Sequence, residues 1–164
     1  MEKINFVNGK EPAINGTNLN QLQTNVENAI NEKNIITASF NTNHVIASSS
    51  SEKVNLDTSV KEGNKLSLVN GSILIGKGVS KVKASSNINF QYITEGLKTV
   101  SFVKNGTTVI QNNTTISART TISTSPVLIE VAEGDLLELY FTGVAEDTIR
   151  RSMAFSNVTV EVVN

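Results

Sequence analysis

A chain of 164 residues is long enough for one domain with a small appendage, and a hydrophobic fraction of 38% can supply one core. The formal net charge of −1 comes from 14 basic and 15 acidic residues that form no block of like charge, which argues against nucleic-acid or anionic-membrane binding. Because the chain has no cysteine, it can form neither a disulfide nor a thiolate metal site.

Residues 1–16 predict an extended or irregular segment. Pro12 favours an extended residue before it, and Asn15-Gly16 is a turn signal. The segment lacks the apolar run of a signal peptide, and no stretch of the chain reaches the length of a transmembrane helix. The sequence therefore predicts synthesis in a cytoplasm without a cleaved signal peptide, and no membrane insertion.

Residues 17–33 predict a single helix with a narrow apolar stripe. A stripe of coiled-coil spacing over about two heptads is marginal as an isolated helix and needs a partner surface. One interpretation is that the helix packs on its own domain. The other, which the narrow stripe favours, is a short parallel bundle formed by several copies of the chain. The stripe consists of Leu19, Leu22, Val26 and Ala29.

The stretch Lys65–Phe90 contains four short runs of alternating apolar residues. Glycine and asparagine separate these runs at Asn70-Gly71, at Gly76–Gly78 and, with a serine, at Ser86-Asn87. A period near two with turn residues between the runs is typical of an antiparallel sheet that is buried on one face. The sequence therefore predicts several short strands here, with breaks at each of these three places.

The same alternation continues to the C-terminus. Asn105-Gly106 lies between two apolar runs, which is the strongest short signal for a two-residue hairpin. Residues 111–115 are predicted to form a polar loop. In total, about ten short strands and no further helix predict an all-β, antiparallel jelly-roll sandwich, and the absence of a fixed repeat argues against a β-helix. We expect an N-terminal segment at 1–34 and a head domain at 35–164.

A phosphate-binding loop is the first catalytic motif to exclude. Gly71, Gly76 and Lys77 match its spacing, but Gly78 stands where the motif requires Ser or Thr for Mg²⁺. The residues between the first two glycines have the pattern of a strand, and no helix is predicted to follow. We therefore expect no nucleotide site here.

Acid–base chemistry has equally little support. His44 is the only histidine, which rules out a histidine-based metal site. Glu133 and Asp135 flank a glycine and are typical turn residues, not a pair that faces across a groove. The sequence therefore predicts that the protein is not an enzyme and uses no cofactor. A Ca²⁺ site in a loop with Glu146 and Asp147 is an open alternative.

The loop between 145 and 156 is the densest mixture of charge, hydroxyl and aromatic groups. Asp147, Arg150 and Arg151 are candidates for binding a polar ligand such as a saccharide, and Tyr92 is a candidate for stacking on a sugar ring. The alternative is that the loop is solvated or forms ion pairs between subunits. Tyrosines within strands also serve in packing and in subunit contacts.

Three segments together resemble phage proteins. The opening INFVNGKEPAINGTNLNQLQTNVENAI is similar to the N-terminal segment of phage tail-tip and baseplate proteins. The segments ILIGKGVSKVKASSNINF and SPVLIEVAEGDLLELYF resemble the head domain of phage receptor-binding proteins, a jelly roll similar to C1q and tumour-necrosis-factor domains.

The resemblance implies a homotrimer joined through its heads, a helical stem, and attachment of the N-terminus to other tail or baseplate proteins of a virion. It also implies that the head recognises a host cell-surface saccharide, although no ligand motif carries over residue by residue. Two alternatives stay open. One is a structural tail or baseplate trimer without a ligand, and the other is a small enzyme that acts on cell-wall saccharide.

Overall fold

The computed structural model describes residues 16–31, 33–41, 44–45, 51–92, 98–115, 121–142, 148–149 and 156–163. The chain forms two compact units, Met1–Glu32 and Lys33–Asn164. The predictions for residues 1–15 and for the loop that carries Asp147 and both candidate arginines lie outside the described residues.

The first unit contains helix α1, which spans Gly16–Asn31. The predicted helix is thus confirmed to within two residues at each end. Its sequence has no acidic residue in the first turn and no basic residue in the last turn. Charged side chains therefore do not stabilise the helix through its dipole. Its stability must therefore come mainly from what its apolar side contacts.

The described part of the second unit contains fourteen strands in two antiparallel sheets. The strands are β1 (Ile35–Ser39), β2 (His44–Val45), β3 (Ser51–Lys53), β4 (Thr58–Glu62), β5 (Leu66–Val69), β6 (Ser72–Ile75), β7 (Lys81–Tyr92), β8 (Lys98–Lys104), β9 (Thr108–Thr115), β10 (Thr121–Ser123), β11 (Val127–Glu130), β12 (Leu136–Thr142), β13 (Thr148–Ile149) and β14 (Asn157–Val162).

The long strand β7 organises the first sheet. This eight-stranded sheet has the order β2-β13-β7-β14-β1-β4, with β10 and β11 also paired to β7. The six-stranded sheet has the order β5-β6-β12-β8-β9, with β3 paired to β12. Neighbours in each sheet are mostly distant in sequence, which is the connectivity of a jelly roll and not of a meander. The antiparallel sandwich predicted from the sequence is confirmed.

The core lies between the two sheets and is built from every second residue of the strands. In β7, Val82, Ala84 and Ile88 are buried while Lys83 points outward, as the period of two requires. Both sheets contribute to the described core, and its largest apolar side chains are Phe102, Phe141, Ile36, Leu66, Ile73, Ile75, Ile88, Leu137 and Leu139.

Two predicted hairpins are confirmed. Asn70 and Gly71 have φ values of 47° and 75°, and Asn105 and Gly106 have φ values of 54° and 70°. Two successive residues with positive φ form the turn that matches the twist of the flanking strands. These turns connect β5 to β6 and β8 to β9.

The predicted break at Ser86-Asn87 is wrong, because β7 runs through it as a strand of 12 residues. Ser86 occupies an inward position, and its polar groups are satisfied there. Its N–H donates to Thr124 Oγ1 at 2.7 Å, and its carbonyl oxygen accepts from the Thr124 N–H at 2.9 Å. A buried serine with a partner from a distant segment has the same appearance in the sequence as a turn residue.

The predicted polar loop at residues 111–115 is also wrong. These residues belong to β9, and the ladder to β8 continues to the pair Lys98↔Thr115. Backbone pairing with an apolar neighbouring strand holds this segment, although its own sequence shows no apolar alternation.

Candidate functional site

The strand ends of the sandwich define two ends of the head. At the entry end, Ile35 begins β1 opposite Glu62 and Glu161. At the same end, Lys104 Nζ of β8 donates to the Glu130 carbonyl of β11 at 3.1 Å, and this hydrogen bond joins the two sheets. The opposite end, which we call the far end, includes the strand termini Tyr92, Lys98, Thr115, Thr142 and Thr148.

Of the candidate ligand residues, the structure describes only the backbone of Tyr92, which lies at the far end. Tyr92 pairs with Thr148, so β13 lies beside the terminus of β7. In sequence, β13 is the dipeptide between Asp147 and Arg150. Asp147, Arg150 and Arg151 lie outside the described residues, as does the side chain of Tyr92, and their role in ligand binding stays a prediction. The same holds for the Ca²⁺ alternative in this loop.

Lys98 is a far-end residue that the sequence did not single out. It begins β8 in phase with Val100 and Phe102, and it is among the large side chains that are fully buried in the described part of the chain. An ammonium group is almost never buried without compensation, and Lys98 does interact with another residue. A lysine at a predicted strand start resembles a solvent-exposed end residue, so the sequence contains no signal for its burial.

The stem candidates lie on α1. Leu19, Leu22 and Val26 are 53%, 52% and 46% exposed on the helix. Ala29 lies within the helix, but its side chain is outside the described residues. Exposed leucines at coiled-coil spacing are a surface that a further helix can cover.

A buried polar cluster on the outer side of the six-stranded sheet was also not predicted. Glu138, in β12, has a side chain only 8% exposed, and Lys53 Nζ lies 3.0 Å from its Oε1. Lys53 also donates to Ser72 Oγ at 2.6 Å and to the Asn70 carbonyl at 3.0 Å. The second oxygen, Oε2, is buried and accepts no hydrogen bond from the described residues. We call Lys53, Ser72 and Glu138 the lysine–glutamate cluster.

The predicted turn residue Asp135 is held in place by the neighbouring hairpin. Asn105 Nδ2 donates to Asp135 Oδ1 at 2.8 Å, and the Ala132 N–H donates to Oδ2 at 2.9 Å. These donors, with the nearby Lys104 ammonium, lower the pKa of the Asp135 carboxyl below its usual value. A carboxylate stabilised in its charged form within a turn serves structure and is poorly suited to act as a general acid.

Two further findings concern the part of the chain that the structure describes. No group of three or more histidine, cysteine, aspartate or glutamate residues is arranged to hold a metal ion. Within the same residues, no helix has the length and apolar character needed to cross a membrane.

No protein-family model and no curated protein sequence matches the chain. Solved structures do match its fold. Murine APRIL is 12% identical with a TM-score of 0.63, over 80% of this chain and 99% of that chain. PRD1 vertex protein P5 is 16% identical with a TM-score of 0.59, over 80% of this chain and 97% of that chain. Eiger TNF from S. frugiperda is 10% identical with a TM-score of 0.58, over 81% of this chain and 94% of that chain. At these identities the likeness shows the fold alone: the chain contains a jelly roll of the tumour-necrosis-factor type, and helix α1 comes before it in the sequence.

Proposed function

We propose that the protein is a homotrimeric phage tail or baseplate protein whose heads bind a host cell-surface saccharide. The N-terminal resemblance to phage tail proteins supports this proposal, and one fold neighbour, PRD1 vertex protein P5, is a vertex protein. The observation that carries the proposal is the exposure of Leu19, Leu22 and Val26 on α1. A purely structural trimer without a ligand is the second candidate.

The stripe of α1 is suited to two more copies of itself. It is one residue wide, so it fits the narrow contact of a bundle better than the broad face of a domain. Covering the exposed half of Leu19, Leu22 and Val26 contributes roughly 1 kcal/mol per side chain. Summed over three chains, this gain supports assembly of a helix that is marginal alone.

The outer face of the eight-stranded sheet supports contact between heads. One row across it, Val60–Thr37–Thr159–Ser85, consists of short uncharged side chains, with Thr37 and Thr159 hydroxyls 3.2 Å apart. At the opposite edges of the sheet, Val60 of this row and Leu128, which lies opposite Lys83 in a neighbouring row, are 65% and 62% exposed. Burying this row against another head removes no charged side chain from water. A contact between one edge of a head and the other edge of its neighbour can close into a ring of three.

The far end is the candidate saccharide surface. The chain enters the head at Ile35, so the far end is the part of the head most distant from that entry point. Tyr92, Asp147, Arg150 and Arg151 are the proposed ligand residues. Three weak sites in one trimer, and several trimers in one particle, raise the strength of adhesion without any additional contact per site. Adhesion to a host saccharide requires that the head bind it and does not require that the head cleave it.

Replacing the three exposed stripe residues with serine is expected to reduce or abolish the trimer. Light scattering of the unaltered chain should give three times the mass of one chain, and the variant should give a lower mass at the same concentration. The matched control replaces three exposed polar residues of the same helix with serine and should remain trimeric: Asn20, Gln21 and Asn25. A monomeric unaltered chain contradicts the proposal, whereas a trimeric stripe variant assigns assembly to the heads alone.

Arg150→Ala and Arg151→Ala are each expected to weaken adsorption to host cells by about tenfold or more, because a hydrogen bond to a charged group contributes about 1.5–3 kcal/mol. Binding to cells or to purified cell-wall saccharide is the measurement, with trimer mass as the check on folding. Lys77→Ala, an exposed cation in the turn after β6, is the control and should bind normally. Unchanged binding in both arginine variants favours the structural trimer, and release of saccharide fragments indicates an enzyme.

A further inference from the structure

Two Asn–Gly turns of the head share one backbone geometry and differ in what holds the asparagine. Asn70-Gly71 and Asn105-Gly106 both have positive φ at both residues. The Asn105 amide is held at both ends, because Nδ2 donates to Asp135 and Oδ1 accepts from the Leu136 N–H, each at 2.8 Å. The Asn70 side chain is exposed and makes no hydrogen bond to the described residues.

A lysine ammonium donates a hydrogen bond to the peptide group between Asn70 and Gly71. Lys53 Nζ donates to the Asn70 carbonyl oxygen at 3.0 Å, and Ser72 Oγ and Glu138 Oε1 hold the same nitrogen at 2.6 and 3.0 Å. The Asn70 carbonyl and the Gly71 N–H belong to one amide. A cation on this oxygen therefore stabilises the negative charge that develops when the N–H loses its proton.

We propose that Asn70 is a site of spontaneous deamidation that the lysine–glutamate cluster promotes. The hairpin ladder pairs Val69 directly with Ser72 and leaves the Gly71 N–H outside it. This N–H gives its proton to solvent, and its nitrogen forms a bond to Asn70 Cγ. The bond from Cγ to Nδ2 breaks, and Nδ2 leaves as ammonia with a proton from water. Water then opens the five-membered imide at either carbonyl carbon.

The net change consumes one water, releases one ammonia, and replaces an amide with a carboxylate. Opening at the Cγ carbonyl gives an ordinary aspartyl residue. Opening at the main-chain carbonyl gives an isoaspartyl residue, in which the main chain continues through Cβ and Cγ. The second product adds one carbon to a two-residue turn, which cannot preserve the pairing of Val69 with Ser72. Either product places a carboxylate near Lys53, where it competes with Glu138 for the ammonium. The β5–β6 hairpin would therefore loosen irreversibly as the protein ages.

The test is to incubate the native full-length protein at neutral pH and follow each Asn–Gly pair by peptide mapping with mass spectrometry. We expect Asn70 to convert at least about tenfold faster than Asn105, because converting Asn105 must break a hydrogen bond to a carboxylate. In concentrated urea the two rates should converge, and Asn70 should be slower than in the folded protein. Equal rates in the folded protein, or a rate at Asn70 that rises in urea, would overturn the proposal.

Asp135→Ala provides a variant that leaves Lys53 intact. It removes the acceptor for Asn105 Nδ2 and should raise the conversion rate at Asn105 without changing the rate at Asn70. An unchanged rate at Asn105 would show that the amide contact gives no protection, which contradicts the proposed cause. The pairs Asn8-Gly9 and Asn15-Gly16 fall in other peptides and do not interfere.

Discussion

Replacing Lys53 with methionine is expected to lower the free energy of unfolding by about 3 kcal/mol, because it leaves the Glu138 carboxylate buried without a cation. Methionine keeps most of the apolar length of lysine, so packing changes little. The Glu138 side chain is 8% exposed and its Oε2 has no partner among the described residues. Only the Ser72 hydroxyl, 3.3 Å from Oε1, would remain. Urea unfolding at fixed protein concentration measures the effect, because assembly couples to stability.

The same substitution at a surface ion pair is the matched control. Lys83 Nζ lies 2.6 Å from Glu161 Oε2, with side chains 45% and 31% exposed. Exposed pairs contribute little, so Lys83→Met should change the free energy of unfolding by no more than about 1 kcal/mol. Adding Glu138→Leu to Lys53→Met should recover most of the loss, because the uncompensated charge is then gone. Equal effects of the two lysine substitutions would show that burial of Glu138 is unimportant.

The sequence predicts correctly those elements whose structure depends on residues that are close together in the chain. Asn105-Gly106 forms the predicted hairpin because the turn geometry depends on two adjacent residues. Helix α1 covers the segment in which apolar residues recur at helical spacing. Ser86 was misassigned because its partner, Thr124, lies in a distant segment that the pattern does not connect to it.

The lysine–glutamate cluster could not be predicted for a related reason. Lys53 and Glu138 each occupy an alternating position that points to the outside of a strand. They meet only because β3 pairs with β12, with Lys53 opposite Tyr140. Strand order in a jelly roll is set by how the two sheets close over the core, which periodicity does not encode. The far-end site has the same limitation, since the pairing of Tyr92 with Thr148 fixes which segments meet there.

The turn between β4 and β5 depends on a glycine that an alanine cannot replace. Gly63 has a φ of 78°, and a Cβ there would overlap Oδ1 and Cγ of Asn34 and lie 2.8 Å from the Lys33 carbonyl oxygen. Asn34 is buried, and its Oδ1 accepts from the N–H groups of Asn64 and Lys65 at 3.0 Å each. Asn34 thereby ties the first residues of the head to this turn.

Gly63→Ala should therefore lower the free energy of unfolding by about 3–4 kcal/mol, from about 1–2 for the left-handed backbone and the rest from the displaced Asn34 hydrogen bonds. Gly134→Ala separates the two causes. Gly134 has a φ of 89°, yet nothing lies within 4 Å of its added Cβ, so only the backbone cost of about 1–2 kcal/mol should appear.

A double-mutant cycle with Asn34→Ala makes this test specific. If the clash with Asn34 carries the difference, removing the amide relieves it, and the loss in the double variant should be smaller than the sum of the single losses. Additive losses, or equal losses in Gly63→Ala and Gly134→Ala, would assign the whole cost to the backbone conformation. In that case Asn34 would not be the residue that fixes how the chain enters the head.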